Sequence, residues 1–159
     1  MVVLCPNVKQ KGMVIFMDKL LISACLLGIP CRYDGKSKPI AAIARLREKY
    51  ELIPVCPEQL GGLPTPRTPS ERRDDRVVMA NGTDVTAQYQ KGANAALELY
   101  RCEGCVAAVL KERSPSCGSG EIYDGTFTHT VISGDGVAAE LLKKNRIKVY
   151  GESELDALL

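Results

Sequence analysis

The 159-residue chain contains no tryptophan, two phenylalanines and a single histidine. So few aromatics exclude a base-stacking platform of the kind that binds single-stranded nucleic acid. Charge of either sign is barely in excess, at a formal net +2. That is too little for a surface that coats nucleic acid, and leaves only a local basic pocket for a phosphate. Long apolar runs are missing as well. The short apolar pieces in residues 1–16 are interrupted by Pro6, Asn7 and Gly12, and neither is long enough to span a bilayer. Residues 2–5 (VVLC) faintly match a lipoprotein cleavage box, but no basic region or apolar stretch precedes them. We read residues 1–16 as an N-terminal extension and 17–159 as the functional domain, a length suited to one core.

Cysteine, by contrast, is plentiful. The seven cysteines are odd in number and follow no secretory signal, so reduced, metal-binding or reactive thiols in a cytoplasmic protein are expected rather than a disulfide framework.

Apolar strings rich in β-formers at 19–24 (KLLISA), 51–55 (ELIPV), 106–110 and 147–150 read as strands. Helical spacing marks 39–50, with Pro39 in the first turn, and also 86–101 and 137–144; a short helix is expected in 152–159. Asn81-Gly82 predicts a hairpin joining 77–79 to 84–85, and 122–124 pairs with 128–132 in another. Residues 56–69, rich in Gly and Pro, show no period. Strands alternating with helices predict a single α/β, Rossmann-like domain with a mostly parallel sheet flanked by helices.

Cys25, Cys56 and Cys117 follow the first, second and third predicted strands. Carboxyl ends of parallel strands share one edge, where ligands bind, so these thiols can converge on a metal or an iron–sulfur cluster. Buried free cysteine acting as a small hydrophobe is the plain alternative. Cys31 is a fourth ligand, a persulfide-bearing thiol or a bystander. Cys102 and Cys105 form a C-x-x-C pair between a helix end and a strand start, the reverse of a thioredoxin-like context, and read as structural. His129 lies far from the cysteine loops, in a predicted strand, and reads as a surface or core residue rather than a ligand.

The strings at 23–28 (SACLLG), 31–35 (CRYDG), 54–67 (PVCPEQLGGLPTPR), 113–120 (RSPSCGSG, with Lys111 before it) and 134–137 (GDGV) resemble the thiouracil desulfidase (TudS-like) family from residue 19 to about 150. The resemblance implies an oxygen-sensitive 4Fe–4S cluster held by Cys25, Cys56 and Cys117, with one iron free of protein ligands and Cys31 a neighbour. It also implies desulfuration of thiolated pyrimidines, with Glu58 and Ser114 as candidate catalytic residues and the iron–sulfur assembly machinery as a partner. Such a cluster would supply a Lewis-acidic iron suited to the soft thiocarbonyl sulfur, and with water adding to the ring carbon the net reaction would be a hydrolysis without redox change. Glu58 would serve as general base, or else pair with Arg67 or Arg113. Arg32, Arg67, Lys111 and Arg113 would receive a substrate phosphate, or else pair with Asp34, Glu58, Glu112 and Glu121. Two other readings are a zinc- or cluster-binding structural or sensor domain without turnover, and a sulfur-handling partner in tRNA thiolation. The short paired spacings of a structural zinc site are absent, and the modest charge disfavours tRNA.

Overall fold

The computed structural model describes residues 16–159. Residues 1–15 of the extension at 1–16, with Cys5 and the cleavage-box likeness, lie outside the described residues.

The first strand, β1 (Asp18–Ser23), runs into a 3-10 turn, Ala24–Leu27, and then a loop. Helix α1 (Ile43–Lys49) leads into β2 (Tyr50–Val55), which is followed at once by the single turn α2 (Pro57–Leu60). A hairpin of β3 (Ser70–Arg73) and β4 (Arg76–Met79) precedes the long α3 (Thr86–Glu103) and then β5 (Ala107–Leu110). Next come β6 (Glu121–Tyr123), β7 (Val131–Ser133), α4 (Val137–Lys144) and β8 (Val149–Gly151), with a closing 3-10 turn at Leu155–Ala157.

The main sheet is wholly parallel, in the order β2-β1-β5-β8. Side chains alternate across it with the strand period of two. Leu20, Ile22, Ala107 and Val109 face a core with Leu46 of α1 and Leu155. Leu21, Ala108 and Leu110 face the opposite way, against Ala96 and Leu97 of α3 and Ala139 and Leu142 of α4. Helices therefore cover both faces, as predicted. The chain leaves β1 toward β2 and later returns to β5 on the other side, so the order reverses between β1 and β5. A crevice at the carboxyl ends of such strands is the usual ligand site of open α/β sheets.

Three expectations need correction. Pro39 lies outside the helix, because Lys38 and Ile40 donate backbone hydrogen bonds to Cys25 (2.8 Å) and Leu26 (3.2 Å) and keep that segment on the cysteine turn. The turn at Asn81 exists, with Val85 bonded to Val77 at 2.9 Å, but the full partner of β4 is β3, a strand in the stretch read as irregular. His129 is exposed in the turn between β6 and β7, edge-on to Tyr123 at 5.9 Å, not in a strand.

Candidate active site

Three strand ends deliver the thiols. Cys25 occupies the turn after β1, which Gly28 closes in the left-handed region at φ 92°. Cys56 sits at the N-cap of α2, with Pro57 preset for the first helical position. Cys117 lies in the loop after β5. Cys25, Cys31 and Cys117 are buried and Cys56 is half-buried. The thiol of Cys31 is within hydrogen-bonding reach of both Cys25 and Cys56, while Cys117, packed with the core on the other face of the sheet, interacts with Cys56 and Glu58 through charge. Cys31 therefore adjoins two of the predicted trio.

The Cys117 loop is braced from several sides. Ser114 Oγ accepts the N–H of Cys117 (3.0 Å) and of Ser116 (3.2 Å). The carbonyls of Pro115 and Ser116 accept N–H groups of Val137 and Ala138, both at 2.9 Å, so the loop satisfies donors that the first turn of α4 would leave orphaned. Gly136 is required there, since a Cβ would stand 2.4 Å from the Ser116 carbonyl carbon. Ser23 Oγ accepts the Lys111 N–H at 2.9 Å and lies in hydrogen-bonding reach of the Cys117 thiol.

Glu58 is 9% exposed and firmly held. Arg67 donates through Nε (2.8 Å) and Nη2 to Oε2, and the Tyr89 phenol donates to Oε1 at 2.8 Å. Arg67 also reaches the Cys31 carbonyl (3.0 Å), the Pro64 carbonyl (3.1 Å) and Thr65 Oγ1 (3.0 Å). A guanidinium has five N–H donors, and all of them are committed within the chain. The other cations are matched too. Arg32 faces Asp34 (3.6 Å), Lys111 bonds Glu152 (2.6 Å) and the Glu112 carbonyl (3.0 Å), and Arg113 faces Glu121 (3.6 Å). Each of the four has an acidic partner within the chain, Lys111 taking Glu152 in place of the expected Glu112; for Arg67 the pairing leaves no donor for a phosphate.

Burial pushes the Cys117 thiol up to about 12, while the Ser23 and Ser116 hydroxyls pull the other way. Cys56 is raised first by its hydrogen bond with Cys31 and then by burial, and Cys31 first by its hydrogen bond with Cys25. Ser116 Oγ is buried without a hydrogen-bond partner of good geometry among the described residues, directly beside Cys117. Soft sulfur donors in buried turns, beside a hydroxyl without a good hydrogen-bond partner, fit an iron–sulfur group. Among the described residues no three His, Cys, Asp or Glu side chains close around one metal ion. Cys105 is a free, buried thiol raised by burial to about 11, and is not bonded to Cys102.

Sequence reasoning missed Ser23, Ser116 and Tyr89. The first two stood in quoted strings beside cysteines, a signal available but unused. Tyr89 carries no such signal, being one more residue on the buried face of α3.

The fold and the site define a class: an α/β protein with cysteine-bearing turns and loops at the sheet edge where its strand order reverses. The family model described as 2-thiouracil desulfurase matches residues 20–154, and the chain belongs to that family. A solved structure, the [4Fe-4S]-dependent thiouracil desulfidase TudS, superposes with a TM-score of 0.85 at 46% identity, covering 89% of this chain and 95% of that one. The protein YbbK of Bacillus subtilis (strain 168), described as uncharacterized, is 41% identical over 150 residues, 88% of this chain and 99% of its own.

Proposed function

We propose that this chain is an iron–sulfur-dependent desulfidase that converts thiolated pyrimidines of the 2-thiouracil, 4-thiouracil or 4-thiouridine type to uracil-type products and sulfide. The observation that carries the reading is the position of Cys25, Cys56 and Cys117 in the turns and loops that follow β1, β2 and β5, with the buried carboxylate of Glu58 two residues after Cys56. Those three cysteines would hold a 4Fe–4S cluster, with Cys31 as a neighbouring thiol. When bound, the cluster supplies a Lewis-acidic iron suited to a soft thiocarbonyl sulfur.

The chain's own groups do the rest. Glu58 takes a proton from the water that adds to the ring carbon, and Arg67 and Tyr89 hold the carboxylate in place for it. Ser114 Oγ already accepts two backbone N–H groups, so its hydroxyl proton is the part it can offer to a ring nitrogen or oxygen. The burial of the crevice limits competing water. The balance is C=S plus water giving C=O plus hydrogen sulfide, with no electron donor or acceptor. Because every Arg67 donor is committed within the chain, the uncharged base or nucleoside is the better substrate than the nucleotide.

The test is single-turnover desulfuration under anaerobic conditions in water enriched in oxygen-18. One heavy oxygen in the product and one sulfide per product, without added reductant, is expected. Unlabelled product, or a requirement for a reductant, would contradict the hydrolysis. A preference for 4-thiouridine monophosphate over the free base would contradict the substrate reading.

A further inference from the structure

Two glycines bring α2 and α3 into backbone contact. A Cβ on Gly92 would stand 1.9 Å from the Pro57 carbonyl oxygen, and one on Gly61 would stand 2.0 Å from the Gln88 carbonyl oxygen. No side chain fits between these helices. The contact drives Tyr89, one turn before Gly92, directly under the turn that carries Glu58. The Tyr89 side chain is 2% exposed, so its hydroxyl is bonded within the protein. It donates to Glu58 Oε1 at 2.8 Å, and the Ser70 hydroxyl lies within hydrogen-bonding reach of its oxygen.

An ionised carboxylate offers about four lone-pair positions. Arg67 takes both on Oε2, through Nε and Nη2. Tyr89 takes one on Oε1. Among the described residues no other group donates to this carboxylate, so one lone pair on Oε1 is left to receive a proton.

We propose that Tyr89 is a positioning residue for the desulfuration, its phenol fixing Glu58 so that a single Oε1 lone pair meets the attacking water. This rests on the reading of Glu58 as the general base. A carboxylate anchored only by Arg67 through Oε2 can pivot about that oxygen and move Oε1, and small misplacements of a reacting group cost large factors in rate. Phenylalanine at position 89 would fill the same space without the hydroxyl, so geometry at the base changes while packing does not.

The experiment compares wild type, Tyr89→Phe, Glu58→Gln and the double variant, each purified anaerobically with its cluster. Iron per chain, thermal midpoint, kcat and KM for 2-thiouracil are measured for each. Tyr89→Phe should lower kcat by about tenfold to a hundredfold with KM and iron content unchanged. In the Glu58→Gln background the same change should cause no further loss, because a residue acting through Glu58 has nothing left to act on. Wild-type kcat in Tyr89→Phe, multiplicative losses in the double variant, or a fall in kcat matched by lost iron would each overturn the proposal. Full activity in Glu58→Gln would instead remove the general-base reading, and this inference with it.

Discussion

Cys117 is held more closely than any other thiol in the site. Its own amide is bonded to Ser114, its loop carbonyls cap α4, and Ser23 meets its sulfur. Replacing it by alanine should leave the loop in place and empty the crevice of its third sulfur. Cys117→Ala is therefore expected to lose most of its iron while keeping its circular dichroism spectrum, and iron content equal to wild type would refute the ligand assignment. On the proposed reading, Glu58→Gln removes a base and not a ligand. Iron should stay at the wild-type level while turnover falls about 10²- to 10⁴-fold, measured as thiocarbonyl absorbance lost per iron. That the three cysteines follow strand ends was legible in the sequence because each comes after a β-rich string, and strand ends of a parallel sheet share an edge. The choice for Glu58 between base and ion pair was not, since Arg67 and Tyr89 reach it across the fold. Tyr89 is 31 positions away, and no periodicity reports a contact between elements.

At the scale of elements, the α2–α3 contact is the most sensitive joint near the site. Gly92→Ala should destabilise the fold by about 1–3 kcal/mol, as overpacking does, because the obstacle is the Pro57 backbone and not a movable side chain. Urea unfolding measures this, and a midpoint unchanged from wild type would show that the helices do not touch. The start of α3 carries a pH dependence of its own. Asp84 is held at about 2, below the usual carboxylate range, first by the Thr86 hydroxyl, then by the Thr86 backbone N–H and by Arg76. A depressed folded value means stability that is present above the unfolded value of about 3.9 and lost as pH falls through about 2. The thermal midpoints of wild type and Asp84→Ala should thus differ at pH 6 and converge near pH 2; a constant difference would contradict the assignment. Helices α3 and α4 were readable from their 3.6-residue spacing. Strand β3 was not, because Ser70–Arg73 is polar throughout and gains its place from pairing with β4.

For the whole molecule, the four-stranded sheet separates two cores and aims three loops at one edge. Leu142 is fully buried on the α3–α4 face. Leu142→Ala should cost about 2–5 kcal/mol in global stability, read by chemical denaturation, with the iron per folded chain unchanged. A variant that kept its stability would show that this face is not a packed core. The alternation of strands and helices made the α/β class legible from composition and pattern. The order β2-β1-β5-β8 was not, because register and neighbour choice are decided by how the faces pack. That order nevertheless sets the site, since it puts the reversal between β1 and β5 and so between Cys25 and Cys117. The claim that joins these scales is that the converged thiols hold a cluster which desulfurates thiolated pyrimidines. The most direct test is to purify the protein without oxygen and follow 2-thiouracil absorbance and sulfide in a sample whose iron is counted. About four irons per chain, with thiouracil consumed and sulfide released in proportion to that iron, is the predicted result. A colourless, zinc-loaded protein, or an iron-loaded one that leaves every thiolated pyrimidine intact, would contradict the account.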